Sequence, residues 1–94
     1  MIENIKKTID ENVNETDNFI FYAYEGLIRF GGSFANALGF LFGCSDSENK
    51  KKIYIMWFNE LIEHACLFVT WCEKNRPDLL NPGYEMYLIK KEVK

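Results

Sequence analysis

The stretch from Asp46 to Asn75 contains neither glycine nor proline, and no other feature of the sequence restricts the fold as strongly. Its apolar residues recur at helical spacing, so we expect one continuous helix that ends before Pro77, a residue that cannot extend the hydrogen-bond ladder. A straight helix of this length spans about 40 Å, whereas a chain of this size folds into a globule roughly 30 Å across. The helix must therefore bend, with Asn59 as the candidate position, or project onto another subunit. Its wide apolar arc favours projection.

Shorter helices are expected before the long one. A narrow apolar stripe predicts a first helix from Ile2 to about Val13, and a second helix ends at Phe30; whether the two are continuous stays open. The chain is thus expected to be one all-α domain, a small helical bundle of three to four helices. The predicted elements are N-terminal helices over 1–30, a short helix over 33–43, the long helix over 46–75, and a turn with a short extended tail over 76–94. From Tyr84 onwards the tail is expected to be an extended arm or a short helix that packs its tyrosines on the body.

Small polar and glycine residues give the local signals along these helices. On the third helix Asn36, Gly39 and Gly43 share a face with little side chain, which predicts the close approach of another backbone. Residues that accept hydrogen bonds from backbone N–H groups predict the helix starts. The candidate N-caps are Thr16 or Asp17 for the second helix, Ser33 for the third, and Ser45, Asp46 or Ser47 for the long helix, where Ser45 and Glu48 also fit a capping box.

The chain is unusually apolar for one small domain, with 48% hydrophobic and 16% aromatic residues. The apolar arc of the second helix covers about two-thirds of its circumference, although a surface helix needs only about one-third. A small core does not readily absorb so many large rings. We therefore expect a homo-oligomer or a partner interface at large residues of the two main helices. These residues are Phe21, Ile28, Trp57, Phe58, Phe68 and Trp71.

Charge and cysteine content exclude several kinds of partner and environment. A net charge of −3 does not suit the phosphate-neutralising surface of a nucleic-acid binder. Membrane insertion is disfavoured because Glu25 and Arg29 in one apolar stretch, and Glu60 in another, would lie near the middle of the bilayer. Three cysteines without CxxC spacing, after a polar N-terminus, favour reduced thiols in a cytoplasmic protein.

The turn between the second and third helices is the candidate ligand site. Gly31 and Gly32 free backbone N–H groups at a helix N-terminus, where Ser33 adds a hydroxyl and Arg29 a guanidinium that suits phosphate or carboxylate. The alternative is structural and is favoured. In that interpretation the glycines form a corner, Ser33 caps the helix, and Arg29 pairs with Glu25 one turn away.

Chemistry of an enzyme or a metal site has little support in the sequence. Glu60 and His64 lie one turn apart, but there is no second histidine and no HExxH pattern. A partly buried His64 that donates a hydrogen bond to Glu60 is the favoured interpretation. No nucleophile elbow, phosphate loop or paired-carboxylate motif is present. We therefore expect no catalytic residues, no metal and no cofactor.

A sparse motif runs through the middle of the chain. Its parts are Gly31-Gly32-Ser33-Phe34, then Ala37-Leu38, then Asp46 with Asn49 three positions later. In residues 22–60 the chain thereby resembles a set of short phage and prophage proteins with a GGSF-x-x-AL segment and a following AD-x-x-N helix start. Ser45 stands where that pattern has alanine, and an unbroken apolar run around Trp57 replaces its downstream Phe-Pro and Trp positions. The resemblance implies a phage-type accessory protein, in which Asp46 and Asn49 have a helix-capping role.

Two functions are retained as hypotheses. Small helical phage proteins without catalytic apparatus usually occupy a surface or sequester a ligand, which is an argument from analogy. The first hypothesis is a non-catalytic protein that binds and inhibits a host protein, including a role against host defence, in the cytoplasm of an infected or lysogenic bacterium. The alternative is an oligomeric binder of a nucleotide-like or other anionic small molecule at Gly31-Gly32-Ser33.

Overall fold

Helices account for most of the chain, as the apolar spacing predicts. The computed structural model describes residues 2–89, and this part is an all-α bundle without a strand. The predicted tail continues beyond it, so its last five positions lie outside the described residues. The elements are α1 (Ile2–Glu11), α2 (Val13–Phe30), α3 (Ser33–Cys44), α4 (Ser47–Asn75) and two short 3-10 turns at Pro77–Leu79 and Tyr84–Tyr87.

The first and second helices are separate, and the break falls earlier than either predicted N-cap. Asn12 has extended dihedral angles and caps α2, because its side chain accepts a hydrogen bond of 3.0 Å from the backbone N–H of Glu15. Thr16 lies inside α2, where its hydroxyl donates to the carbonyl of Ile9 at 2.7 Å. The N-cap prediction of Thr16 or Asp17 is therefore wrong, because α2 begins one turn earlier and Asn12 caps it.

The other two helix starts give one confirmation and one correction. Asp46 caps α4 by accepting from the backbone N–H of Asn49 at 2.9 Å, as the motif implied. Gly32, and not Ser33, occupies the N-cap of α3, and no side chain caps that end. Asn36 reinforces the corner instead, since its amide donates to the carbonyl of Gly31 at 2.8 Å.

The long helix bends, and the predicted projection beyond the domain is wrong. Trp57 has non-helical dihedral angles (φ −119°, ψ 27°), two residues before the position suggested by the sequence. The molecule measures 31 × 31 × 30 Å, with a radius of gyration of 12.4 Å. A straight helix of this length would extend well past such a body. The bend instead lets both halves of α4 pack on the same core.

Helix α2 contacts α1, α3 and α4, and its largest interface is with α4. A Cβ atom added to Gly39 would lie 2.8 Å from the Cβ of Leu27, and one added to Gly43 would lie 2.7 Å from the ring of Tyr24. Helix α2 thus packs closely on the small face of α3, but it is the side chains of Leu27 and Tyr24 that meet the two glycines, and not a backbone as predicted.

The C-terminal turns close one end of the bundle. Tyr87 is fully buried, and its hydroxyl donates to the carboxylate of Glu15 at 2.6 Å. Asn81 is joined to α2 twice, through its N–H to the hydroxyl of Tyr22 and through its amide to Asn18. The described part of the tail therefore packs its tyrosines on the body in a short 3-10 helix, which agrees with the second of the two predicted alternatives and not with an extended arm.

Candidate interaction surfaces

The structure divides the six predicted interface residues between the core and the surface. Phe58 and Phe68 are 8% and 0% exposed, so their assignment to an interface is corrected. Both rings pack on α2, where Phe58 stacks on Phe19 at a centroid distance of 5.7 Å and Phe68 lies 5.5 Å from the ring of Phe21. Ile28 and Trp71 are half-buried, whereas Phe21 and Trp57 each keep 37% of their surface exposed.

One exposed cluster joins α2 to the second half of α4. We define the aromatic face as Phe21, Arg29, Phe30, Leu67 and Trp71. The guanidinium of Arg29 lies 5.2 Å from the Trp71 ring, and the Phe30 ring lies 6.3 Å from it on the neighbouring helix. Phe21, Phe30 and Leu67 are 37%, 40% and 45% exposed, so this face combines large apolar side chains with the cation of Arg29.

A second exposed cluster follows α3, which is apolar on both sides. Ala35, Leu38, Gly39 and Phe42 face the core, at the three- and four-residue steps of one helix face. The opposite side is also apolar but is uncovered in this chain. We define the α3 face as Phe34, Ala37, Phe40, Leu41 and Cys44.

The α3 face continues onto the bend of α4. The ring of Phe34 lies 5.1 Å from the ring of Trp57, and Met56 beside it is 73% exposed. Sequence reasoning missed this surface because it concentrated on the two longer helices. The signal was available, since the segment of α3 contains no charged residue.

The candidate anion site at Gly31-Gly32-Ser33 does not gain its predicted clamp. The Nε atom of Arg29 donates to Glu25 at 2.8 Å, and its guanidinium lies over rings of α4. The structural alternative is therefore confirmed for the Arg29–Glu25 pair. Ser33 is the first residue of α3, and its side chain does not cap the helix.

A groove of about 450 Å³ opens between α1 and the first half of α4. Buried apolar side chains such as Phe19 and Phe42 form its floor, and Lys6, Lys50 and Lys51 belong to its lining. Its carboxylate, Asp10, accepts from the hydroxyl of Tyr54 at 2.8 Å and from Lys6 at 3.2 Å.

The titrations of the Asp10–Tyr54 pair reflect their contact. Partial burial opposes ionisation of Asp10, but the hydrogen bonds from Tyr54 and Lys6 outweigh it and hold the pKa of Asp10 below its usual value. Burial, together with the same hydrogen bond, raises the pKa of Tyr54. Asp10 is therefore occupied by its neighbours, and the lysines give the groove an excess of positive charge.

The remaining polar candidates have structural contacts. A hydrogen bond of 2.9 Å joins Nδ1 of half-buried His64 to Glu60, through the backbone carbonyl of Glu60. Within residues 2–89 no group of three or more His, Cys, Asp or Glu side chains is placed to hold a metal ion. Over the same range, no helix has the length and apolar character needed to cross a membrane.

The three cysteines are free thiols with different accessibility. Cys44 is exposed on the α3 face, Cys66 is half-buried, and Cys72 is buried, where burial raises the pKa of its thiol.

Comparison with known protein families, with curated proteins and with solved structures finds no match for the chain.

Proposed function

We propose that this chain is a non-catalytic accessory protein that binds another protein through its aromatic face. The observation that carries the proposal is the cation–π contact of Arg29 with Trp71 beside the exposed ring of Phe30. Tryptophan and arginine are among the residues that contribute most to protein interfaces when they are neighbours at the centre of a patch.

The contacts of Arg29 support binding because they fix the side chain in advance. Its Nε atom donates to Glu25, and its guanidinium lies 5.2 Å from the centroid of the Trp71 ring, so less conformational entropy is lost on association. The other guanidinium N–H groups are available to a carboxylate or a carbonyl of a partner. The partner surface should therefore combine an apolar pocket with an acidic or carbonyl-rich rim.

The biological setting of this proposal comes from the resemblance to phage and prophage proteins. On that basis the partner is a host protein that the chain inhibits, with host defence proteins as the first class to test, in the cytoplasm of an infected or lysogenic bacterium. A small protein without a chemical site can inhibit by covering a surface that its target needs.

Affinity capture from host lysate tests the proposal when it is combined with matched variants. Arg29→Ala and Phe30→Ala should each weaken capture of a specific protein at least tenfold, because a residue at the centre of an interface contributes more than about 1.4 kcal/mol. Val13→Ala is the control, since Val13 is 79% exposed at the opposite end of α2. Equal capture by all three variants, each with an unchanged melting temperature, would exclude the aromatic face.

A second candidate function is the binding of an anionic small molecule, and the lysine-lined groove is the observation that favours it. Its volume of about 450 Å³ lies in the range of small-molecule sites. Adenosine monophosphate is a suitable probe because it combines a flat apolar base with a phosphate. It should raise the melting temperature of the protein, and Lys51→Ala should reduce the shift while Lys74→Ala, an exposed lysine near the far end of α4, leaves it unchanged. No shift at millimolar probe would remove this candidate for nucleotides.

We also propose that the protein is a homo-oligomer. If the aromatic face binds a partner protein, the α3 face is still uncovered. Contiguous apolar patches of several large side chains are uncommon on the surface of soluble monomers. Light scattering of the purified protein measures the mass directly, and a monomeric mass at all accessible concentrations would contradict the proposal.

A further inference from the structure

Large and small side chains alternate along the α3 face. Phe34 is large, Ala37 is small, Phe40 and Leu41 are large, and Cys44 is small, with three- and four-residue steps that place them on one side of the helix. We propose that this face binds the same face of a second copy, in an antiparallel dimer with twofold symmetry. The geometry rests on the proposed homo-oligomer and specifies which surface forms it.

Antiparallel pairing makes the α3 face complementary to itself. A twofold axis near Gly39 places Phe34 level with Cys44 of the partner subunit and Leu41 level with Ala37 of the partner subunit. Phe34 and Leu41 then each lie over a small side chain of the partner subunit, and the two copies of Phe40 pack against each other beside the axis. Parallel pairing would instead set Phe34 against its own copy and leave gaps between the small residues. A contact of this self-complementary kind closes as a dimer and does not continue into a filament.

Charge distinguishes a second copy from a partner of another kind. The segment of α3 contains no charged residue, so two copies meet without repulsion and without a charge that needs neutralising. The aromatic face, in contrast, presents Arg29 and therefore calls for an acidic or carbonyl-bearing partner. A neutral face with alternating residue sizes is best satisfied by an identical face.

The available area is sufficient for a specific dimer. Phe34, Phe40 and Leu41 are 54%, 63% and 58% exposed. If large side chains offer about 150–250 Å² each, these residues with Met56 and Trp57 provide roughly 600 Å² per copy. The pair would then bury about 1,200 Å², which is the lower limit for stable protein interfaces. We therefore expect a dimer that dissociates on dilution.

Cysteine cross-linking tests the antiparallel arrangement, and the native Cys44 supplies half of the pair. In the Phe34→Cys variant, the new thiol lies level with Cys44 of the partner subunit. The axes of packed helices are about 8–10 Å apart, so a cross-linker shorter than ~10 Å joins two thiols that lie at the same level. The two native Cys44 residues are ten helical positions apart along the axis, or about 15 Å. Phe34→Cys should therefore give a covalent dimer, whereas the wild type and Phe34→Cys/Cys44→Ser should not.

A second variant tests the same surface without cross-linking. Ala37→Glu places a charge at the centre of the proposed interface while the side chain stays in water in the isolated chain, since Ala37 is exposed. Light scattering should show loss of the dimer, with an unchanged circular dichroism spectrum. Glu48→Ala, at an exposed position outside the α3 face, should leave the dimer intact.

The outcomes separate the two proposals. Cross-linking of Phe34→Cys that depends on Cys44, together with a monomeric Ala37→Glu variant, supports the antiparallel dimer. A wild-type protein that is monomeric would overturn both the homo-oligomer and this geometry. An oligomer that persists in Ala37→Glu, or that cross-links through Cys44 in the wild type, would overturn the antiparallel α3 contact and leave the homo-oligomer standing.

Discussion

Gly26→Ala should destabilise the protein strongly, although alanine is ordinarily the better residue inside a helix. Gly26 is buried where α2 crosses α4, and a Cβ atom added there would overlap the backbone carbonyl of His64 and lie 3.2 Å from the His64 Cβ. Backbone atoms of a packed helix cannot rotate away as a side-chain tip can. The two helices would therefore have to separate along the largest interface of the fold.

The expected magnitude combines two opposing effects. Replacing glycine by alanine in a helix interior stabilises by about 1 kcal/mol. Forcing apart a well-packed interface costs about 1–3 kcal/mol or more, and core side chains such as Leu27 and Leu61 lose contact as the helices separate. The overlap is with backbone atoms, so the cost lies at the upper end of that range, and we expect a net loss of about 2 kcal/mol in the free energy of unfolding. For a chain of this size each kcal/mol lowers Tm by about 4–8 °C, which gives a fall of roughly 8–16 °C.

Thermal unfolding followed by far-UV circular dichroism measures this effect, with Gly32→Ala as the matched control. A Cβ atom added to Gly32 would meet no atom within 4 Å, so the control should change the free energy of unfolding by less than about 1 kcal/mol. If Gly26→Ala melts at or above the wild-type temperature, α2 and α4 do not cross as closely as the structure indicates, and the argument fails.

Three further predictions concern individual side chains. Tyr87→Phe removes the hydrogen bond to Glu15 and should lower the free energy of unfolding by about 1–3 kcal/mol in denaturant at neutral pH. Because burial raises the pKa of Tyr87, this stabilisation is fully present below pH ~10, where tyrosine ionises in the unfolded chain. Above pH ~10 the difference in stability between the two proteins should narrow. Asp10→Asn should lower the free energy of unfolding by less than about 1 kcal/mol at neutral pH, since the carboxylate is largely exposed. The difference between the two proteins should vanish as the pH falls through the lowered pKa of Asp10. Equal stability of the two proteins at all pH values would contradict this prediction. In dilute solution, where the proposed dimer has dissociated, a thiol reagent should modify exposed Cys44 rapidly and buried Cys72 only on unfolding, so equal rates would contradict the structure.

The sequence predicts the helices well and the bend of α4 poorly. The apolar spacing between Ile53 and Cys72 is regular through the bend, and neither glycine nor proline marks Trp57. The bend comes from tertiary packing, because a straight helix would carry Ile53 and Tyr54 away from the core that they now contact. A helix can bend without glycine or proline when the free energy gained by burying one more helical turn exceeds the cost of the distorted dihedral angles. The local sequence pattern therefore does not reveal the bend.

Two of the six predicted interface residues were misassigned because α4 packs against several elements of the fold. Helical-wheel reasoning treats an arc wider than a surface helix needs as exposed, and on that basis Phe58 and Phe68 belonged to an interface. In the folded chain α4 meets α2 along its length and the C-terminal 3-10 turns on another side. Tyr87 stacks on Phe19 with a centroid distance of 6.2 Å, which shows the tail itself covering part of the apolar surface. An apolar arc that is too wide for one neighbouring helix to cover is covered by several elements of the fold.

Where an apolar surplus remains depends on which elements have enough neighbours. Helix α4 has several, but α3 has contacts chiefly with α2 and fewer with α4, so one side of it stays uncovered. Its buried side uses small residues, Gly39 among them, to come close to α2, while the rings of Phe34 and Phe40 point away from that contact. A helix that only needed to cover α2 would be stabilised in water by polar residues on its outer side. The outer side of α3 is instead apolar at every exposed position from Phe34 to Cys44, which costs solubility unless a second surface covers it.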